Sequence, residues 1–172
     1  IEEFRSEDSS TIVGHANTEE AITVGAVRYY RANTPGFTPP VIESFSSIGG
    51  TSKKDASDIW TPPLSKPDFT APNGVNTSVN LGAILEPEGD GIPNFFGTSA
   101  AAPHAGAVAA LMIQAKKRYF LGQTFLPGDL KSILNNTAQD MNSPGFDYIS
   151  GNGFIQADSA LQSFASSDPS LI

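Results

Sequence analysis

The stretch from Thr98 to Arg118 constrains this chain more than any other part of it. Ala, Val, Leu and Met fall on nearly every face of the helix it predicts over residues 99–118. A helix that is apolar all round belongs in the middle of a core, so the rest of the fold must cover it on every side. Thr98 is a good N-cap for it. Lys116-Lys117-Arg118 closes it, where cations are favoured by the helix dipole. Pro103 lies about one turn in, where its missing N–H should cost a hydrogen bond and bend the helix slightly.

The elements around this helix are shorter. Residues 21–27 form an apolar run rich in β-branched side chains, which reads as a buried parallel strand. Residues 31–63 read as loop, punctuated by Pro35-Gly36, Pro39-Pro40 and Gly49-Gly50, with a short extended piece over 45–48. Residues 66–72 predict a brief strand ending in a turn at Asn73-Gly74, and 75–85 a strand or hairpin. A second helix is expected from Pro127 through Ala138, with Leu130, Ile133 and Leu134 on one face. A last one should run over 157–164. The sequence shows no internal repeats and no low-complexity tracts.

Composition narrows the class. The chain has 172 residues, 13 prolines and 16 glycines, which favours ordered loops over a helical bundle. A net charge of -8, with the ten Lys and Arg in no large block, argues against a nucleic-acid partner. The absence of cysteine excludes a disulfide scaffold, a thiolate nucleophile and Cys-based metal sites. No apolar run approaches the ~20 residues that cross a bilayer. The chain opens on Ile1-Glu2-Glu3-Phe4-Arg5 without Met or a signal segment, which is the expectation for a piece of something longer.

Chemistry concentrates at Gly97-Thr98-Ser99. A serine on the first turn of a buried helix meets free N–H groups and a partial positive charge, both suited to an oxyanion. The small residues that follow let a substrate backbone approach. The bland alternative is that Thr98 and Ser99 merely cap the helix. The G-x-S-x-G elbow of lipases and esterases fails, because Ala101 stands where glycine is required. His104 lies five residues beyond Ser99, turned ~140° away and ~7.5 Å along the axis, so it cannot act as its base. It reads as a packing residue. His15 sits in a loop, and nothing places it within ~3 Å of Ser99.

The segment 97–106, Gly-Thr-Ser followed by small residues, Pro, His and a closing small pair, resembles the serine signature of the subtilase family of serine peptidases. Four further stretches resemble the same family in order and rough spacing. These are the Val-Gly-Ala strand within 21–27, Phe45-Ser46-Ser47, the Lys-Pro-Asp-x-x-Ala-Pro segment at 66–72, and the Gly-x-Gly-x-x-x-Ala stretch opening at Gly151.

The resemblance implies an α/β fold, a parallel β-sheet with helices on both faces, present over residues 1–172 only as its C-terminal portion. It implies that Ser99 is the nucleophile of a serine endopeptidase and contributes its own N–H to the oxyanion hole, with Thr98 helping beside it. The family's triad Asp and His and its oxyanion-hole Asn precede the Val-Gly-Ala strand, and none of their motifs is visible here. A serine without a base has little reactivity, so the isolated chain is expected to be inert.

The implied substrate is polypeptide, no cofactor is required, and secretion fits the family. Two alternatives stay open: a non-catalytic subtilisin-like binding domain, and a sedolisin-like acid peptidase, which uses Glu in place of His. An all-apolar helix without its upstream cover predicts self-association or a covering partner.

Weaker signals surround these. Glu86-Pro87-Glu88-Gly89-Asp90-Gly91 resembles the start of a calcium loop, but Gly97 occupies the twelfth position, where a bidentate Glu is needed. An acidic solvated turn explains it better, as for the oxygen-rich run 140–147. Asn76-Thr77-Ser78 and Asn135-Asn136-Thr137 match the glycosylation pattern, a match short enough to arise by chance. Phe95 and Phe96 fit core packing. Trp60 suits either a partner contact or cover for a sheet edge.

Overall fold

The structure, a computed structural model, describes residues 10–33, 36–80 and 89–165. Two parallel strands lie at its centre: β1 (Val24–Arg28) and β4 (Phe69–Asn73), in register from Val24 opposite Phe69 to Arg28 opposite Asn73. Between them in sequence comes a small antiparallel hairpin of β2 (Lys53–Lys54) and β3 (Trp60–Thr61). Three helices follow: α1 (Thr98–Tyr119), α2 (Pro127–Asn136) and α3 (Ala157–Ala165).

Alternation along the strands sorts their side chains onto two faces. Ala26, Phe69 and Ala71 point into one core with Ala101, Ala105 and Met112 of α1, Leu130 and Leu134 of α2, and Ala160 of α3. Val27 faces the other way, against Met141, Phe154 and the half-buried Ile42. Thr70 shares that side, its hydroxyl 3.2 Å from the Met141 sulfur. The parallel-strand, mixed helix-and-sheet class expected from the sequence is therefore the one observed.

The outer edges of this strand pair are closed by irregular chain. On β4, the Thr70 amide donates to the Gly153 carbonyl at 2.7 Å, and the Ile155 amide to the Thr70 carbonyl at 2.9 Å. Gly153 can come this close only because it has no side chain. Its φ is 111°, and a Cβ there would stand 2.0 Å from the Gln139 carbonyl oxygen. On β1, the Glu43 amide donates to the Ala26 carbonyl and the Ser46 hydroxyl accepts from the Ala26 amide. The extended piece expected over 45–48 thus contributes single bonds and no regular strand.

The hairpin of β2 and β3 lies in a stretch expected to be loop. Asp55 accepts from the Ser57 and Ile59 amides and shapes its turn, and Lys54 sits 5.4 Å over the Trp60 ring and 2.8 Å from Asp58. Trp60 is two-thirds exposed and packs in this hairpin, so it covers neither edge of the β1–β4 pair.

α1 begins one residue earlier than expected. Gly97 is its N-cap, and Thr98 is the first helical residue with no side-chain cap bond. It runs unbroken through Pro103. Only Ala100, Ala101, Ala105 and Met112 of its 22 residues are buried. Ala102, Gly106, Ala107 and Ala110 are exposed, and Leu111 is half exposed, so the helix that is apolar all round has one face uncovered among the described residues.

One buried carboxylate ties the centre to its surroundings. Asp68 is 1% exposed. Its Oδ2 accepts from the Lys66 ammonium at 2.8 Å and from the Thr23 amide at 2.7 Å, while Oδ1 lies 2.7 Å from the Lys131 ammonium of α2. Lys66 is equally buried and also donates to the Ala21 carbonyl. Burial pulls the Lys66 ammonium below its ordinary pKa, and the bond to Asp68 offsets part of that pull. Removing one partner of such a network strands a buried charge. Asp68→Asn is therefore expected to destabilise the fold by about 3–5 kcal/mol, measured as the shift in urea unfolding midpoint. An unchanged midpoint would show that the carboxylate holds nothing together.

Candidate active site

The turn that delivers Ser99 is built from the carboxyl end of β4. Beyond Asn73 the chain runs antiparallel to residues 93–95. The Gly74 amide donates to the Phe95 carbonyl at 2.9 Å, the Phe95 amide to the Val75 carbonyl at 3.2 Å, and the Thr77 amide to the Pro93 carbonyl at 2.8 Å. Asn94 adds a side-chain bond to the Gly74 carbonyl and another to Asn76. The Phe96 ring packs against Gly74, whose φ is 79°, and a Cβ there would fall 2.3 Å from the ring. Phe96 is half-buried and packs on this turn, outside the two apolar clusters. Arg28, at the end of β1, covers its ring with the guanidinium 5.1 Å from the centroid. Tyr30 and then Glu43 bond that guanidinium and raise its pKa further.

Gly97 completes the turn with φ 123° and ψ 165°, a conformation essentially reserved for glycine. Its carbonyl accepts from the amides of Ala100 at 2.9 Å and Ala101 at 3.2 Å. Those two amides are spoken for. The amides of Thr98 and Ser99, at the head of the helix, have no intrahelical acceptor. They sit at the positive end of a 22-residue helix dipole, which is a ready position for a developing negative charge.

Ser99 is exposed and Thr98 half-buried. Thr98 borders a cavity of about 260 Å³ lined also by Ile12, Val13, Val24, Gly25 and Ser46. Pro103 has no amide to bond the Ser99 carbonyl, so that carbonyl is left without its usual partner four residues on. The structure therefore brings together an exposed serine hydroxyl, two amides with no acceptor among the described residues, and a neighbouring cavity.

Among the described residues no hydrogen bond joins either histidine to Ser99. His104 turns its Nδ1 back to the Ala100 carbonyl at 2.7 Å, a bond within its own helix. His15 is exposed on a short 3-10 turn, Gly14–Asn17. Val13 and Ala16 on either side of it line the cavity by Thr98.

The remaining polar candidates are engaged locally. Asp90 accepts from Asn76 and from the Ile92 amide, while Glu86 and Glu88 of the calcium-like run lie outside the described residues. Asp140 accepts from the amides of Met141 and Gly145. Asp147 accepts from those of Ile149 and Ser150 and from the Ser150 hydroxyl. No group of three acidic, His or Cys side chains suited to a metal occurs among the described residues. Asn76 is exposed but its amide nitrogen is bonded to Asp90, and Asn135 lies within α2 with its amide oxygen buried.

One residue of this architecture escapes a sequence reading. Asn73 reads as a turn former, and turn formers are common. In the structure it is the last residue of β4, fully buried, and its Oδ1 accepts the Gly97 amide at 3.2 Å.

The profile of the subtilase family matches residues 3–153. Fervidolysin from Fervidobacterium pennivorans is 38% identical over 66 residues, which make up 38% of this chain and 9% of fervidolysin. Its crystal structure superposes with a TM-score of 0.56 at 26% identity, over 86% of this chain and 20% of its own. The CspB protease of Clostridium perfringens gives 0.60 at 20% identity, over 89% of this chain and 29% of its own, a likeness of fold alone. The chain spans well under a third of either structure. With the family profile running from before the first strand to Gly153, and the Gly-Thr-Ser turn set at the head of α1, this chain belongs to the subtilase family of serine proteases.

Proposed function

We propose that residues 1–172 are the C-terminal part of a subtilisin-like catalytic domain, and that Ser99 is the nucleophile of a serine endopeptidase. The observation that carries this reading is an exposed serine hydroxyl on the first turn of α1, beside amides with no intrahelical acceptor, at the carboxyl end of a parallel strand. Ligands gather at that end in open α/β sheets.

The reaction is acyl transfer. The Ser99 hydroxyl attacks a peptide carbonyl and gives its proton to a histidine, which an aspartate orients. The tetrahedral oxyanion takes hydrogen bonds from the Ser99 amide, with Thr98 beside it. Collapse expels the amine, which receives the proton from the histidine. Water then hydrolyses the ester on Ser99. This route needs no cofactor. The histidine and aspartate come from chain outside these residues, because His104 is bonded into α1 and His15 stands exposed on its own turn. The substrate is polypeptide, cut in the interior. Export from the cell fits the family and the cysteine-free, acidic composition.

A fluorophosphonate probe tests this directly. The protein containing the whole domain should be labelled, and its Ser99→Ala variant should not. Peptidase turnover should fall by roughly the 10⁶-fold that removing the serine costs in subtilisin. The isolated chain should label no faster than its own Ser99→Ala variant. Labelling of the isolated chain that disappears in that variant would mean its base lies within it, and would reinstate His15. A whole-domain protein that never labels would favour the non-catalytic alternative, and an optimum near pH 4 the sedolisin-like one.

The uncovered face of α1 supports a second element of the proposal. Ala102, Gly106, Ala107, Ala110 and Leu111 form a stripe that the described residues leave open. A helix apolar on all faces calls for cover there, from upstream chain or, in isolation, from another copy. Light scattering of the isolated chain should therefore give a mass above that of the monomer. A monodisperse monomer would count against it.

A further inference from the structure

The bonds that hold the Ser99 turn stop one residue short of it. Main-chain ladder bonds from residues 74–77 fix Pro93 and Phe95, and the Gly74 contact fixes the Phe96 ring. None of them reaches Gly97. The bond that does is from a side chain: the Gly97 amide donates to Asn73 Oδ1 at 3.2 Å.

We propose that Asn73 is a positioning residue for Ser99, fixing the Phe96–Gly97 peptide plane and through it the direction in which α1 starts. This rests on the reading of Ser99 as nucleophile. Asn73 is fully buried, so it cannot touch a substrate and acts only through the backbone. The amide orientation follows from chemistry, since Gly97 brings a donor and only the oxygen of Asn73 can accept it. The other end of the same side chain, Nδ2, is buried with no acceptor among the described residues.

The position has leverage because Gly97 has no side chain to restrict it. With φ 123° its backbone is free to swing once the amide is released, and Thr98 and Ser99 follow directly. Reaction at Ser99 depends on the placing of its hydroxyl and amide to within a fraction of an ångström, and a displacement of about 1 Å can cost about 100-fold in rate. Asparagine also suits the place by its charge. Aspartate would offer the same acceptor, but a carboxylate at the head of α1 opposes the negative charge that forms on the oxyanion.

The test compares Asn73→Leu, which removes the acceptor but keeps the branching and number of side-chain heavy atoms, with Asn73→Asp, which keeps the acceptor. Two readouts are needed. The first is amide hydrogen exchange of Gly97 in the isolated chain, referred to the Gly74 amide, which is held by the Phe95 carbonyl. Asn73→Leu should speed Gly97 exchange at least ~10-fold relative to Gly74, and Asn73→Asp should leave the ratio near the parent value. The second is kcat and KM in the whole-domain protein. Asn73→Leu should lower kcat by about 10–100-fold with KM nearly unchanged, and Asn73→Asp should recover part of that loss.

Equal acceleration of Gly97 and Gly74 would show a general packing role and overturn the proposal. So would parent-like kcat in Asn73→Leu, or equal losses in both variants. If Asn73→Leu does not fold, Asn73→Ala carries the same comparison. A wild-type domain that neither labels nor cleaves would sink the peptidase reading, and the catalytic role of Asn73 with it, even if the exchange data confirm the bond.

Discussion

Everything in this structure leans on the carboxylate of Asp68. It stands where β4 begins, yet it holds three things that are far apart in sequence: the amide of Thr23 leading into β1, the ammonium of Lys66 beside it, and Lys131 on α2. Parallel strands cannot be joined by a tight turn, so their pairing must be secured by something other than the connection. Here the securing group is a side chain at the amino end of the pair. With that end fixed, the register of β1 on β4 brings Arg28 opposite Asn73 at the carboxyl end.

At the carboxyl end the work passes to Asn73, Gly74 and Phe96. One strand terminus is thus converted into a platform on which the head of α1 rests. The two ends use different devices. The amino end uses a buried ionic network, in which close, well-placed contacts offset the cost of desolvating the charges. The carboxyl end uses glycine conformations and the Asn73 hydrogen bond to Gly97, with the Arg28 guanidinium, paired to Glu43, set over the Phe96 ring.

Local signals made much of this legible beforehand. The run from 21 to 27 carries enough β-branched apolar residues to read as a buried strand, and β1 is there. Pro127 and Asp129 announce the start of α2, and Asp129 does bond back to the Leu126 amide. Gly97-Thr98-Ser99 is legible through the resemblance of segment 97–106 to the subtilase serine signature, since a Thr-Ser pair before a helix is by itself an ordinary cap. What stayed hidden depended on distant partners. The hairpin of β2 and β3 has only two residues per strand, too few for a period to show, and its turn is set by Asp55. Thr98 looked like the cap because threonine usually is one, but the Gly97 conformation moved the start of the helix back by one. The role of Asn73 rests on a bond across 24 positions, which no local pattern encodes.

The ladder that closes on Asn76 and Asn94 has a further consequence. It makes the chain between those residues an excursion that leaves and returns at one fixed point, so changes in its length alter only a slowly growing closure entropy. Insertions or deletions between them can therefore leave the bonds that join residues 74–77 to 93–95 in place. A foreign sequence grafted between Asn76 and Asn94 would enter and leave the domain at one bridged pair, a few residues from Ser99.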